Sequence, residues 1–257
     1  MDGILFDSII FGPVISRRLG ISLGINLLPT EGKICNFDCI YCECGWTIHG
    51  DFDKKLPSSE IVISELNKRL TELKIANKEI NNITFAGNGE PTMHPQFATI
   101  VDGTILLRNE LFPNAKISVL SNSTLLHQDS VFSALKKIEN NIMKLDAGSE
   151  RVFNLINQGT KNIHLNDIVS NLKKFNGKLK IQTLFIRGEY NDQIIDNTTE
   201  EEIALWLKHI EMINPESVML YSFDRETPAE NLEKISKEEL NNIAKKLESI
   251  GIKAEVF

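Results

Sequence analysis

Short apolar runs alternate with helical patterns along this chain of 257 residues, and this alternation limits the fold more than any other feature. A strand, a helix and a second strand in succession form a parallel pair with a right-handed crossover. Six such units predict an α/β fold, either an open doubly wound sheet or a partly closed barrel. Both architectures place their sites at the carboxyl ends of the strands. The six runs lie near residues 21–28, 81–86, 116–121, 141–147, 178–186 and 216–223.

Helix boundaries are marked by capping signals. Ser236 with Glu239 predicts a capping box that opens a helix, and Thr199 with Glu202 repeats the pattern. No low-complexity segment or Pro- or Gly-rich linker divides the chain. We therefore expect one domain over 1–257, in which 1–20 lead in and 252–257 could add an edge strand. Further helices are expected over 58–76, 95–112, 129–139 and 164–175.

The charge balance restricts the class of partner. Asp and Glu number 35 and Lys and Arg 28, a formal net charge of -7 with a pI near 5.4. This balance argues against wholesale binding to nucleic acid or to an anionic membrane, but it allows a local basic patch. Every apolar run is shorter than the ~20 residues of a membrane span, and the N-terminus lacks the basic residues of a secretory signal. We expect a cytoplasmic protein.

All four cysteines, Cys35, Cys39, Cys42 and Cys44, fall within ten residues. A disulfide framework would spread them along the chain, and a structural zinc site usually divides its ligands into two separated pairs. Thiolates also suit iron–sulfur clusters, and one compact loop can surround a cubane. Since one residue separates Cys42 from Cys44, three ligands with Cys44 spare is the simplest interpretation. An iron without a protein ligand would indicate chemistry rather than simple electron transport.

The spacing Cys-x₃-Cys-x₂-Cys after the first predicted strand, with Tyr41 before the third cysteine, resembles the signature of the radical S-adenosylmethionine (SAM) superfamily. The flanking residues resemble generic iron–sulfur oxidoreductases related to wyosine-type tRNA-modifying enzymes. The resemblance implies a partial (β/α)₆ TIM-like barrel, a [4Fe–4S] cluster on Cys35, Cys39 and Cys42, and SAM on the open iron near Tyr41. It also implies reductive cleavage of SAM to a 5′-deoxyadenosyl radical that abstracts hydrogen from a substrate.

A second motif follows the second predicted strand. Gly87, Asn88, Gly89, Glu90 and Pro91 are similar to the GGEP-like segment that binds the SAM amino group in this superfamily. Asn88 departs from the pattern by replacing the second glycine, which leaves the local backbone conformation open. A merely structural strand-to-helix turn is the alternative interpretation.

Polar residues also follow the third and fourth predicted strands. Ser121 and Asn122 match positions that contact the SAM ribose or carboxylate in the superfamily, although such residues also favour helix caps and turns. Lys144 and Asp146 lie two apart and should share one face, where a cofactor or a mutual ion pair would balance their charges.

Four arginines lie beside the predicted site segments: Arg17, Arg18, Arg187 and Arg225. Because guanidinium groups grip carboxylates and phosphates, they predict a small to medium-sized anionic substrate at the barrel mouth. Pairing with nearby acids is the alternative. The implied partner is a one-electron reductant of the flavodoxin or ferredoxin type. Alternatives for function are tRNA-base modification, glycyl-radical activation and plain iron–sulfur electron transfer, against which the GNGEP turn argues.

Overall fold

The computed structural model describes residues 3–48, 56–160 and 162–257. Strands and helices alternate along most of these ranges, as the sequence predicts. The strands are β1 (Ile10–Ser16), β2 (Gly20–Ile25), β3 (Asn82–Phe85), β4 (Lys116–Ser121), β5 (Asn140–Lys144), β6 (Lys180–Leu184), β7 (Ile186–Tyr190), β8 (Gln193–Asp196), β9 (Ser217–Tyr221), β10 (Leu232–Lys234) and β11 (Ala254–Val256). The helices are α1 (Ser59–Ile75), α2 (Phe97–Leu111), α3 (Asp129–Leu135), α4 (Glu150–Asn157), α5 (Leu165–Lys173), α6 (Glu200–Ile213) and α7 (Lys237–Ser249).

The main sheet has eight strands in the order β1-β2-β3-β4-β5-β6-β9-β11. Strands β2 to β6 and β9 pair in parallel throughout, which are the six expected strands. The sheet ends at β1 and β11 and does not close, so the partly open barrel is confirmed. Strand β11 pairs in parallel with β9 at the edge, where residues 252–257 were expected to add a strand.

Several elements are not among those predicted. Strand β1 lies in the lead-in and pairs antiparallel with β2, and α4 precedes α5 between β5 and β6. A second sheet, in the order β10-β7-β8, forms from segments that follow β6 and β9. Its hairpin turns at Asn191 and Asp192, which both adopt positive φ angles, 51° and 58°. Two such residues form the primed turn that matches the twist of paired strands.

One capping box is complete and one is not. Ser236 accepts a hydrogen bond from the Glu239 amide, and the Glu239 side chain reaches back, as predicted. Thr199 accepts from the Glu202 amide at 3.2 Å, but the Glu202 carboxylate instead accepts from the amides of Gly148 and Ser149, both at 3.1 Å. The expected second box is therefore half formed, because Glu202 holds the loop that precedes α4.

The core lies between the sheet and the helices that cover it. Trp206 of α6 is buried there and donates a hydrogen bond to the carbonyl of Leu145 at 3.1 Å. In the lead-in, the rings of Phe6 and Phe11 stack at 3.7 Å, and Phe11 lies where a Cβ on Gly24 of β2 would collide with it. The lead-in thus packs onto β2. Among the helices of the described residues, none has the length and hydropathy to cross a membrane.

Candidate active site

The predicted motifs meet at the carboxyl edge of the parallel strands. The cysteine loop follows β2, and the segment Gly87–Pro91 follows β3. The two are joined by an isolated bridge between Ile34 and Gly89. The Ile34 amide donates to the Asn88 carbonyl at 2.9 Å, and the Glu90 amide donates to the Ile34 carbonyl at 3.1 Å. This backbone pairing fixes the cysteine loop against the glycine-rich turn.

Gly89 is required by that pairing. Its φ is +135°, and a Cβ there would lie 1.7 Å from the Ile34 carbonyl oxygen. A side chain at this position would strike the cysteine loop itself before it reached any bound ligand. The glycine therefore permits the close approach of two backbone segments.

Asn88 has a structural task that explains its departure from the glycine pattern. The side chain is fully buried, and its amide nitrogen donates to the carbonyls of Phe6 at 2.8 Å and Pro29 at 2.9 Å. Its carbonyl oxygen accepts from the Phe6 amide at 2.8 Å. Asn88 thus ties the lead-in to the turn, and its side chain is already satisfied by protein partners.

The Glu90 carboxylate joins the turn to the end of β4. It accepts hydrogen bonds from the Thr92 amide at 3.0 Å, the Ser121 hydroxyl at 2.9 Å and the Asn122 amide at 2.6 Å. Burial raises the pKa of Glu90, and these hydrogen bonds oppose that rise. The hydrogen bond between Glu90 and Ser121 therefore holds the glycine-rich turn against the end of β4. Pro91 begins the short 3₁₀ turn Pro91–Met93 that follows.

The surroundings of the predicted ligands fit an iron–sulfur cluster. Cys35 Sγ accepts hydrogen bonds from the Phe37 amide at 3.4 Å and from Asn122 Nδ2 at 3.5 Å. Cys39 Sγ lies 3.6 Å from Oδ1 of Asn157, a fully buried residue whose Nδ2 has no partner. Rotating that amide by 180° would aim the unsatisfied N–H at a Cys39 thiolate. N–H groups that donate hydrogen bonds to the sulfur atoms commonly surround iron–sulfur clusters.

A buried lysine inside the cysteine loop was missed at the level of sequence. Lys33 has a side-chain exposure of 1%, and its Nζ donates to Asp38 Oδ1 and to the Gly45 carbonyl, both at 3.2 Å. Burial acts to lower the pKa of Lys33, but the charges of Cys42, Cys35 and Cys39 outweigh it and raise that pKa. The ammonium therefore lies within the electrostatic reach of all three predicted ligands.

Lys144 and Asp146 form a mutual ion pair, and the Tyr41 hydroxyl bonds to both. Asp146 is fully buried and also accepts from the Leu184 amide at 2.9 Å. Burial lowers the pKa of Lys144 and raises that of Tyr41. Lys144 and Asp146 therefore form the ion pair that was one of the two interpretations. Through Tyr41, this pair contacts the cysteine loop.

Cys44, the cysteine set aside as spare, lies beside Cys42. A hydrogen bond from the Cys44 thiol lowers the pKa of Cys42 to about 6, against its burial. The same thiol lies 3.6 Å from the Gly87 carbonyl. Cys44 thus contacts one predicted ligand and the glycine-rich turn.

Three of the four candidate arginines meet at one cavity of about 510 Å³ beside Tyr41 and Cys42. Arg17 pairs with Asp224 at 2.5 Å and Arg225 pairs with Glu43 at 2.9 Å, both at the exposed rim. Arg18 differs from both. The cavity wall is completed by Leu120, Gln182, Leu184, Tyr221, Ser222 and Phe223.

Arg18 is half-buried, and its guanidinium stacks 4.9 Å from the centroid of the Tyr221 ring. It donates to Gln182 Oε1 at 3.1 Å. No carboxylate lies within ion-pair distance of Arg18 among the residues that the structure describes. Its charge is therefore directed at the cavity without an acidic partner.

Arg187 does not join this group, which corrects its placement at the barrel mouth. Because the chain continues from β6 into β7, Arg187 lies in the small second sheet. It donates to Glu239 at 2.5 Å and to Thr198 at 3.0 Å, and it lines a different cavity with Asp196. Its charge is balanced outside the barrel.

Comparison with known proteins agrees with this site. The sequence model of the radical SAM superfamily matches residues 32–200, which include the cysteine loop and the glycine-rich turn. The chain belongs to the radical SAM superfamily. A UPF0026 protein of Methanocaldococcus jannaschii is 30% identical over 222 residues, 83% of this chain and 63% of that protein. Another relative, named GTPase Obg in Brachyspira hyodysenteriae, is 30% identical over 93% of this chain, which spans 33% of it.

Solved structures of radical SAM proteins share the fold. A radical SAM methyltransferase from Sphaerobacter thermophilus has a TM-score of 0.66 at 15% identity, over 92% of this chain and 65% of that one. Streptococcus suis SuiB bound to SAM gives 0.63 at 14%, over 90% and 50%. Archaeal TYW1 gives 0.53 at 17%, over 89% and 71%. The cofactors of the radical SAM superfamily, and of this chain, are a [4Fe–4S] cluster and SAM.

Proposed function

We propose that this protein is a cytoplasmic radical SAM oxidoreductase that abstracts hydrogen from a small or medium-sized anionic substrate held by Arg18. Cys35, Cys39 and Cys42 would hold the cluster, with Cys44 outside the ligand set. When bound and reduced by one electron, the cluster and SAM supply a 5′-deoxyadenosyl radical able to abstract a hydrogen atom. A flavodoxin- or ferredoxin-type protein would deliver the electron.

The chain's own residues would bind and orient the cofactor. The backbone of Gly87–Pro91 would face the SAM amino group, since the turn is fixed against the cysteine loop by the Ile34–Gly89 bridge. Ser121, Asn122 and Asp146 lie at the neighbouring strand ends, where Ser121 contacts Glu90 of that turn, and Asn122 and Asp146 contact Asn36 and Tyr41 of the cysteine loop. Tyr41, held by Lys144 and Asp146, would close the cofactor side of the cavity to water.

Arg18 is the observation that carries the anionic substrate. Partial burial of a guanidinium without a carboxylate partner costs free energy, and an anionic ligand would offset that cost by neutralising the charge. Its planar face is fixed by Tyr221 and one edge by Gln182, so the remaining donors keep a defined direction. Such a fork grips a carboxylate or a phosphate with two parallel hydrogen bonds. A fixed grip also has catalytic value, because hydrogen abstraction depends on geometry.

The rim favours a small ligand over tRNA. Asp224 pairs with Arg17 and Glu43 pairs with Arg225 at the opening, so the arginines there are already balanced. Binding of tRNA depends on a continuous basic surface that contacts many phosphates. Among the described residues that line the cavity, Arg18 is the single cation without an acidic partner.

The test uses the full chain reconstituted with iron and sulfide and reduced with dithionite. Cell metabolites separated by anion exchange into retained and unretained fractions are added with SAM, and 5′-deoxyadenosine is measured. We expect the retained fraction to stimulate its release. In Arg18→Met that stimulation should fall about 10- to 150-fold, the effect of losing about 1.5–3 kcal/mol from a charged hydrogen-bonded contact.

Arg17→Met is the matched control, because Arg17 faces the same cavity from its exposed rim, with 70% of its side chain accessible. In Arg17→Met, the stimulation of 5′-deoxyadenosine release by the retained fraction should change by less than a few-fold. Both variants should hold as much cluster as the wild type. Equal stimulation by the unretained fraction, or full stimulation of Arg18→Met, would exclude an anionic substrate at Arg18.

A further inference from the structure

Lys33 occupies an unusual place for a lysine. Its aliphatic stem and ammonium are buried within the segment Lys33–Thr47 that carries the predicted cluster ligands. One partner of the ammonium, the Gly45 carbonyl, is neutral, and the other, Asp38, is 30% exposed. The positive charge is thus deeply enclosed, whereas water can screen part of the compensating negative charge.

We propose that the positive charge of Lys33 raises the reduction potential of the cluster. Reduction adds one electron, and therefore one negative charge, to a group held by three thiolates, of which Cys39 is buried and Cys35 and Cys42 are half-buried. A fixed positive charge enclosed with them stabilises the reduced form more than the oxidised form, so it raises the potential. The low dielectric of a buried site strengthens the effect. No proton moves in this step.

Asp38 provides a test of sign. Its carboxylate faces the same ammonium and accepts from the Thr47 amide at 2.7 Å, so it belongs to the same loop. Asp38→Asn is nearly isosteric and removes one negative charge. If Lys33 acts through its charge, removing Lys33 lowers the potential and neutralising Asp38 raises it. If Lys33 only held the loop closed, the two variants would not shift the reduction potential in opposite directions.

The experiment reconstitutes wild type, Lys33→Met and Asp38→Asn without oxygen and titrates each cluster with dithionite while its paramagnetic reduced form is measured. Lys78→Met is the control, because Lys78 is exposed in the loop before β3, at the edge of the sheet opposite the site. For Lys33→Met we expect the reduction equilibrium to shift about tenfold towards the oxidised form. That shift corresponds to about 59 mV for one electron. Asp38→Asn should shift it by a smaller factor in the opposite direction.

The wild-type potential in Lys33→Met, or shifts of the same sign in both variants, would overturn the proposal. If Lys33→Met fails to hold a cluster, Lys33→Gln decides, because its amide can still donate to the Gly45 carbonyl without carrying the charge: a lowered potential supports the proposal and the wild-type potential contradicts it. The measurement needs neither substrate nor turnover. Its outcome is therefore independent of whether an anionic substrate binds at Arg18.

Discussion

Two sets of charged residues surround the site, and they are built differently. The inner charges are buried, and each has several polar partners or lies against the cysteine loop. The rim charges are exposed, and each pairs with one or two opposite charges on neighbouring segments. The inner charges are Lys33, Glu90, Lys144 and Asp146, and the rim charges are Arg17, Glu43, Asp224 and Arg225.

The difference shows which charges are buried at a cost in free energy and which are not. Burying an ion is costly, and the mutual attraction of a pair offsets the cost only when further hydrogen bonds satisfy both groups. The Lys144–Asp146 pair meets that condition beside Tyr41 of the cysteine loop, where a cluster and its cofactor need a rigid support. Exposed pairs contribute little to stability and can exchange partners, which suits the entrance of a cavity.

The cysteines should give the largest effect. Ser at Cys35, Cys39 or Cys42 should abolish a stable [4Fe–4S] cluster and with it all SAM cleavage, because each would remove one of three thiolates. Iron and sulfide content, the visible absorption near the sulfur-to-iron bands and 5′-deoxyadenosine release would measure this loss.

Cys44→Ala is the matched control, since Cys44 lies in the same loop and contacts Cys42. We expect it to retain most of the cluster. Loss of the cluster in Cys44→Ala alone, or a cubane signal that survives replacement of all three other cysteines, would contradict the ligand assignment.

The second prediction compares one inner ion with one rim ion. Asp146→Asn keeps the shape of the side chain but leaves Lys144 buried without its counter-ion, so it should lower the free energy of unfolding by about 3–5 kcal/mol. Asp224→Asn at the rim should cost about 0–1 kcal/mol. Chemical denaturation of the apoproteins would measure both. Equal costs for the two variants would remove the distinction between inner and rim charges.

Most of the fold was predictable because local signals specify it. Apolar runs predicted the parallel strands β2 to β6 and β9, and the Ser236–Glu239 box opens α7 as expected. Helix α4 also carries a local signal, because Ser149 caps it and accepts a hydrogen bond from the Val152 amide at 3.2 Å. Asn157 ends that helix, so missing α4 also meant missing the amide side chain beside Cys39.

Burial of polar residues was not predictable, because it depends on contacts between distant segments. Lys33 stands among Glu, Gly and turn residues in the sequence, and it is enclosed only when the loop folds back to Gly45. Arg187 reads as the end of a barrel strand, but the turn at Asn191 and Asp192 directs it into another sheet. The cysteine ligands were recognisable because their spacing is local.

The smallest predicted effect concerns Glu239, a charge in the first turn of α7 that pairs with Arg187 of the second sheet. Hydrogen bonds from Ser236, followed by the Arg187 contact, lower the pKa of Glu239 to about 2 from its usual 4.5. A carboxyl whose pKa is lowered by folding stabilises the protein above its unfolded pKa, and the contribution disappears as the pH falls through the folded value. The stability difference between wild type and Glu239→Gln should therefore be constant above about pH 5.5 and shrink between pH 4.5 and pH 2.

Denaturation of the apoproteins across that pH range, with Glu238→Gln as a control on the same exposed turn, would measure the difference. Because 41% of the Glu239 side chain is exposed, the effect should also weaken in 1 M salt, where the Debye length is about 3 Å. The cost of Asp146→Asn should persist there, since Asp146 is fully buried. If salt weakened both equally, the inner ion pair would be solvated, and its role as a rigid support for the cysteine loop would fail.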